Sequence, residues 1–329
     1  MRRIVGKATS SVLKDDIEDA AGPLQVSTGL KGGAEAAIHS MREIFSEEGC
    51  DGVILVDASN AFNRLNRHVA LHNIQITAPL FAPVLMNTYR VPSRLFVTGG
   101  GEIVSQEGTT QGDPLAMAFY GLSTLPLQND LRVGEAGVKQ VWLADDATGA
   151  GKLPKLKRWW DIIVEHGKRY GYYVNEDKSW LILNDPDLLE LASDIFANTD
   201  IRITTAGKRH LGAALGSVDF RKEYVSEKVG EWSREVVKLA EFAQSQPHAA
   251  YAAFIHGEQH RFRFCMRTIP GMEEYLKPLD DVIDEKLIPA LVGRNINNTE
   301  RVLFSLPIRE GGMGLPLLVD EAPLEFISS

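Results

Sequence analysis

Three carboxylates stand where two short apolar runs end. Residues 52–56, GVILV, stop at Asp57, and residues 141–144, VWLA, stop at Asp145 and Asp146, with Gly149 and Gly151 close behind. A continuous apolar run of that length, ended by a turn former, reads as a buried strand. If the two strands are neighbours in one sheet, all three carboxylates meet at one edge. Like charges crowded together repel unless cations stand between them. Oxygen-only donor sets suit Mg²⁺ or Mn²⁺, and two such ions are the usual clamp for an in-line phosphoryl displacement. Each piece alone has a plainer meaning, because Asp is a good turn former and an isolated Asp-Asp pair is ordinarily a solvated turn.

The elements that must position these groups alternate between strand and helix periodicity over the first two thirds of the chain. Residues 34–48 read as an amphipathic helix with Ala34, Ile38, Met41, Ile44 and Phe45 on one face. After Asp57, Ser59 or Asn60 is the expected cap of the next helix. Residues 94–110 carry a triple glycine and read as a hairpin or a mobile loop. Residues 114–132 read as one helix with Pro114 in its first turn. The segment 138–144 is expected to be a strand, and ATGAG (147–151) a turn leading away from it. A helix over 153–171 should end at Gly171, with Lys168 and Arg169 in its last turn. Strand-like stretches follow at 172–183 and 209–217, and from about residue 221 the pattern is helical. The expected fold is α+β followed by a mostly helical region, with the junction near 216–225.

The bulk composition bounds the partners. The chain has 329 residues, 44% hydrophobic and 24% charged, ordinary for a globular protein with a sizeable core. Two cysteines, Cys50 and Cys265, exclude a disulfide scaffold and suit a reducing, intracellular setting, cytoplasmic or nuclear. No apolar run reaches the roughly 18 residues that span a bilayer, and the basic start MRRIVGK is not followed by the apolar stretch of a secretory signal. The expectation is no membrane partner. The net charge of −9 argues against non-specific adhesion to nucleic acid, so any such contact must rest on local basic clusters.

Order and company sharpen the carboxylates. VDASNAFNRLNR (56–67), QGDPLAMAFY (111–120), LADDATG (143–149), GYYVNEDKS (171–179) and HLGAALG (210–216) occur in succession. This succession resembles the reverse transcriptase family, particularly the forms of non-LTR retrotransposons and group II introns. The matching features are a metal-binding Asp with an aromatic five positions on, a Gln-Gly-x-Pro helix start, an Ala-Asp-Asp hairpin, an Asn/Lys block and a Leu-Gly grip. QVSTGLKGGAEAAIHSM (25–41) is similar to the start of the family's fingers helix. The likeness covers about residues 22–217.

The resemblance implies an RNA-directed DNA polymerase that extends a DNA primer on an RNA template from dNTPs. It implies partial fingers over 1–50, a palm over 51–217 built on an antiparallel sheet with flanking helices, and a helical thumb-like region over 218–329. Asp57 and Asp145 would hold two Mg²⁺ ions (Mn²⁺ as a substitute), with Asp146 adding charge beside them. Phe62 would exclude a ribose 2′-hydroxyl. Gln111 and Gly112 would line the nascent base pair, Gly112 by admitting a close approach and Gln111 by offering both a donor and an acceptor. Lys178 would face the pyrophosphate, and Leu211 and Gly212 the primer.

Two departures stand out: Leu143 replaces the family's usual Tyr or Phe before Ala-Asp-Asp, and only MRRIVGK remains of the basic fingers segment. The chain therefore reads as a truncated copy, with Arg2, Arg3 and Lys7 as its remaining basic residues there.

Two basic clusters are candidates for backbone contact. KLPKLKR (152–158) precedes Trp159 and Trp160, which could stack on bases or fill a core. HGEQHRFRFCMR (256–267) places Arg261 and Arg263 in the thumb-like region as template–primer contacts. His256 and His260 lack the order of a zinc motif, and GLKGG (29–33) lacks the spacing of a phosphate loop. The oligomeric state is open. Two rival functions stand: a catalytically inactive polymerase-derived domain that binds nucleic acid or protein, and an RNA-dependent RNA polymerase, which Phe62 and the Gln-Gly-x-Pro block disfavour.

Overall fold

Strand β1 (Gly52–Val56) is buried along nearly its whole length, as its apolar run requires, and two neighbours cover its edges. The computed structural model describes residues 2–329, which divide into two units, one up to Ala206 and the other Gly207–Ser329. In the first unit β2 (Ser93–Val97) and β3 (Gly101–Ser105) form a separate hairpin. The strands β4 (Lys139–Leu143), β5 (Asp146–Gly151), β6 (Trp180–Leu183) and β7 (Arg202–Thr204) join β1 in one sheet, in the order β4-β5-β1-β6-β7. All pairings in that sheet are antiparallel except β6 with β7.

The segment expected to be a turn after Asp146 is strand β5, beside the central β1. Its run of Ala, Thr and Gly carries no strand signal, because the helix Leu153–Tyr170 occupies the space that larger side chains would need. A methyl group at Gly149 would lie 3.2 Å from the Trp159 ring and 3.1 Å from Val138. Trp159 and Trp160 are 0% and 1% exposed, so they fill the core and offer no stacking surface.

The helix expected over 114–132 is two, Ala116–Ser123 and Leu125–Gly134. Pro126 has no N–H to continue the ladder. The Thr124 hydroxyl donates instead to the carbonyls of Tyr120 (3.1 Å) and Gly121 (3.0 Å). After β1 the helix is also interrupted: a single turn, Ala61–Arg64, precedes Arg67–Thr77. Asn60 holds the cap position of the single turn, as expected, without a side-chain bond; the longer helix is capped by Asn66, its side-chain oxygen accepting from the Val69 amide at 3.2 Å. The amphipathic helix runs over Gly33–Phe45, and Leu153–Tyr170 ends at Gly171 with φ +80°, both close to expectation.

In the second unit β8 (Gly207–His210) and β9 (Ala213–Gly216) form a hairpin ahead of the long helix Val218–Ala243. The division falls before the 216–225 junction because this hairpin packs with the helical segment: the Tyr224 hydroxyl donates to the Gly212 carbonyl at 2.9 Å. Trp232 and Phe262 pack in the core with their rings tilted at 49° and centroids 5.1 Å apart. The buried Asp280 carboxylate accepts from the amides of Leu318 and Val319, both at 3.0 Å, and caps the helix Leu318–Ile327. No helix among the described residues is long and apolar enough to cross a membrane.

Candidate active site

Register brings the carboxylates together. The last pair of β1 with β5 is Val56 with Ala147, so the next residues outward, Asp57 and Asp146, stand opposite each other at the sheet edge. Asp145 is the second residue of the two-residue turn that joins β4 to β5, since Leu143 pairs with Asp146. The three are electrostatically coupled. Burial, followed by the charge of Asp57, raises the Asp145 carboxyl above its ordinary range. Burial, then Asp145, then Asp57 push Asp146 up to about 6, although Asp146 keeps access to solvent. No Lys, Arg or His among the described residues pairs with any of the three.

The turn that carries Asp145 is held at each carbonyl. Ala144 has φ +58°, a left-handed conformation that costs a non-glycine residue roughly 1 kcal/mol or more. Gln25 binds both of its backbone groups: the side-chain oxygen accepts from the Ala144 amide at 2.8 Å, and the side-chain nitrogen donates to the Ala144 carbonyl at 3.3 Å. Two buried bonds at about 1 kcal/mol each outweigh the strain. The Tyr172 hydroxyl donates to the Asp145 carbonyl at 2.8 Å, and its ring meets Trp142 edge-on at 5.4 Å. Asp57 is held by its backbone: its amide donates to the Ser179 hydroxyl (3.0 Å), and its carbonyl accepts from the Asn175 amide (2.7 Å). Lys178, next to Ser179, is exposed.

Phe62 stacks on Tyr120 with centroids 4.5 Å apart. Tyr120 is buried, and its hydroxyl has no hydrogen-bond partner. Burial first, then Asp145 and Asp146, raise its ionisation well above the ordinary tyrosine range, so it remains a neutral group beside the carboxylates. Gln111 and Gly112 are exposed in a turn. Gly112 has φ +79°, and open space surrounds the place where a side chain would go.

The segment leading to Gln111 is fastened to the Phe62 turn by Arg67, 4% exposed. Its guanidinium donates to the carbonyls of Ser105 (2.9 Å), Glu107 (2.8 Å) and Gly108 (3.0 and 3.1 Å) and to the Ser105 hydroxyl (3.0 Å). The Thr109 amide donates to the Phe62 carbonyl at 2.7 Å. Beyond Gln111, the Tyr89 hydroxyl donates to the Asp113 carboxylate at 2.6 Å. Gln25, Arg67, Tyr89 and Tyr172 carry no local signal; only QVSTGLKGG marked the neighbourhood of Gln25.

The donor chemistry fits a hard divalent cation: three carboxylates, an unpartnered hydroxyl behind them and no cation among the described residues. Among the described residues, no group of three or more His, Cys, Asp or Glu side chains is close enough to hold an ion by itself. Magnesium ordinarily takes one or two carboxylates and completes its shell with water and substrate phosphate, so two of these three carboxylates would suffice.

The other expected residues are placed differently. In the helix Arg2–Val12 a methyl group at Gly6 would lie 3.4 Å from the Pro114 ring; Arg3 and Lys7 are exposed, and the Arg2 side chain lies outside the described ones. In the KLPKLKR stretch Lys152 pairs with Asp51 (2.8 Å), Lys157 with Asp161 (2.6 Å) and Arg158 with Glu135 (2.6 Å). In the second unit Leu211 and Gly212 form the tip of the β8–β9 hairpin, with φ +49° and +94°. Gly212 lies against Phe264, on the helix Gln259–Thr268 that bears Arg261 and Arg263. Arg261 pairs with Glu235 (2.6 Å) and Glu258 (2.9 Å), and Arg263 with Glu321 (3.3 Å) and Glu325 (3.8 Å).

No family model and no curated protein matches the chain. Solved structures do. Telomerase of Candida tropicalis, in its apo form, aligns over 99% of this chain at 12% identity with a TM-score of 0.51. Telomerase of Candida albicans, in complex with a fragment of telomeric RNA, aligns over 99% at 11% identity with a TM-score of 0.44. The chain spans about half the length of these proteins, 54% and 56%. The likeness to the Candida tropicalis protein shows the fold: mixed α+β, with a sheet and flanking helices.

The raised Asp146 carboxyl has a consequence for stability. Its folded value of about 6 exceeds the ordinary 3.8, so its contribution is full below the unfolded value and is lost as pH rises through about 6. A divalent cation bound there would favour the charged form. Mn²⁺ is therefore expected to raise the melting temperature above pH about 6 and to have progressively less effect below it, which thermal melts across pH with and without the ion will show.

Proposed function

We propose that this chain is the polymerase portion of an RNA-directed DNA polymerase, extending a DNA primer on an RNA template from dNTPs. The observation that carries the proposal is the meeting of Asp57, Asp145 and Asp146 at one sheet edge, in a fold like that of the Candida tropicalis protein. The motif succession supports the assignment of residues 1–50 to partial fingers, 51–217 to the palm and 218–329 to a thumb-like region. Its particular form supports the non-LTR and group II branch.

Asp57 and Asp145 are the proposed holders of the divalent ions, Mg²⁺ or Mn²⁺, with Asp146 beside them. When bound, the ions supply activation of the primer 3′-hydroxyl and stabilisation of the leaving pyrophosphate. The chain's own residues do the positioning. Gln25 and Tyr172 hold the turn beneath Asp145, Ser179 and Asn175 hold Asp57, and Arg67 and Tyr89 hold the strap around Gln111, proposed to face the new base pair. Lys178 is the proposed contact to pyrophosphate; Leu211, Gly212, Arg261 and Arg263 are the proposed primer and template contacts.

Phe62, braced by Tyr120, is the proposed barrier to a 2′-hydroxyl. Phe62→Ala is expected to raise ribonucleotide incorporation relative to deoxynucleotide. An unchanged dNTP to rNTP ratio in steady-state kinetics removes this role.

A second reading, a polymerase-derived domain that binds without catalysing, is favoured by the intramolecular pairing of Lys152, Lys157, Arg158, Arg261 and Arg263 in an acidic chain. Extension of oligo(dT) on poly(rA) with Mg²⁺ or Mn²⁺ separates the two. Folded protein that binds the template–primer and adds no nucleotide supports the second.

A further inference from the structure

We propose that Gln25 is a positioning residue that sets the divalent-cation affinity of the Asp145–Asp146 hairpin, an inference that rests on the polymerase reading for its substrate but not for its test. Gln25 lies 119 residues from Ala144 in sequence and is 1% exposed. Its backbone continues the sheet past β4: the Trp142 amide donates to the Leu24 carbonyl at 2.8 Å, and the Val26 amide to the Trp142 carbonyl at 2.9 Å. That pairing fixes the Gln25 side chain against the turn, where it holds both backbone groups of the left-handed Ala144.

The side chain is itself prevented from turning. Its oxygen also accepts from the Ser27 hydroxyl at 2.7 Å, and Ser27 lies 3.1 Å from the Thr28 hydroxyl. On the other side Gln25 rests on Gly121, where a methyl group would approach Gln25 Cγ to 3.0 Å and the Thr28 hydroxyl to 2.5 Å. Gly121 belongs to the helix Ala116–Ser123, which also bears Tyr120, the support of Phe62. One glutamine thus touches both the turn bearing Asp145 and the helix behind Phe62.

The carboxylates repel one another, so their arrangement before a cation arrives depends on the rigidity of the backbone that carries them. Without Gln25, Ala144 has no partner for its amide in that conformation, and the turn relaxes toward negative φ. Asp145 and Asp146 then move apart, and a cation must do work to reassemble them. A residue that merely filled the core would change stability and leave cation affinity alone.

The test uses the whole chain and Mn²⁺ as probe, with free ion counted by electron paramagnetic resonance. Gln25→Met keeps the volume and removes both hydrogen bonds. It is expected to weaken Mn²⁺ binding about tenfold, and to lower kcat for nucleotide addition with little change in the dNTP KM. Gln25→Glu, which keeps the acceptor and loses the donor, gives a smaller loss in the same direction and covers the case in which Gln25→Met does not fold. Adding Ala144→Gly to Gln25→Met is expected to restore most of the affinity, because glycine adopts positive φ without strain. Wild-type affinity in Gln25→Met, or a loss that Ala144→Gly does not reduce, overturns the proposal. A wild-type chain that binds Mn²⁺ and extends no primer overturns the polymerase reading alone.

Discussion

Replacing Asp145 by Asn is expected to lower nucleotide incorporation by about a thousandfold or more while the chain still folds. The change removes one unit of negative charge from an edge that has no cation among the described residues, so its folded state should gain if anything. What is lost is a ligand for the ions on which the reaction depends. A contribution of several kcal/mol to stabilising charge in the transition state converts to about three powers of ten at 1.36 kcal/mol per decade. Asp57→Asn should behave alike, since Asp57 stands at the same edge. Asp146→Asn should cost less, because Asp146 is assigned charge and not the principal coordination. Single-turnover incorporation with saturating template–primer measures all three. Equal rates for wild type and Asp145→Asn would mean that the carboxylates do not hold the catalytic ions.

The second large effect is on stability. Arg67→Met is expected to destabilise the first unit by about 3–5 kcal/mol, because it removes a buried charged donor and leaves its acceptors in place. The carbonyls of Ser105, Glu107 and Gly108 would lose their partner, and Gly108 is buried. The loss should be local as well as global. The strap from Ser105 to Thr110 is held by Arg67 along its first part and tied at its far end, through Thr109 to the Phe62 turn and through Thr110 to Tyr89. Its release should raise amide exchange near Gln111 before the β-sheet opens. Urea unfolding gives the total, and hydrogen exchange gives its location. A change below about 1 kcal/mol would show that water replaces Arg67 at those carbonyls.

The sequence carried the site and the broad fold unequally. The meeting of Asp57, Asp145 and Asp146 at one sheet edge was legible because strand ends are local: an apolar run stopped by a carboxylate announces itself; Phe62 stood out only through the motif succession. Strand β5 was not, since small residues there are a response to Trp159 on a helix that follows it. The break at Thr124 was readable in principle from Pro126, and the cap at Asn66 lay in the same stretch as the two residues expected to serve.

The pairing of the basic clusters was hidden for a different reason. Lys152, Arg158 and Arg261 look unneutralised along the chain, but Asp51, Glu135 and Glu235 reach them from distant segments. Gln25 and Tyr172 were invisible as supports of the hairpin, because their bonds to Ala144 and Asp145 exist only once the sheet has formed.

The central claim is template-directed synthesis at the Asp57, Asp145 and Asp146 edge, and one measurement bears on it most directly. Purified chain is offered poly(rA) primed with oligo(dT) and, separately, poly(rC) primed with oligo(dG), each with all four dNTPs and Mg²⁺ or Mn²⁺. The account predicts that the first takes up dTTP, that the second takes up dGTP, and that Asp145→Asn abolishes both. Incorporation that ignores the template, or that survives Asp145→Asn, would contradict it.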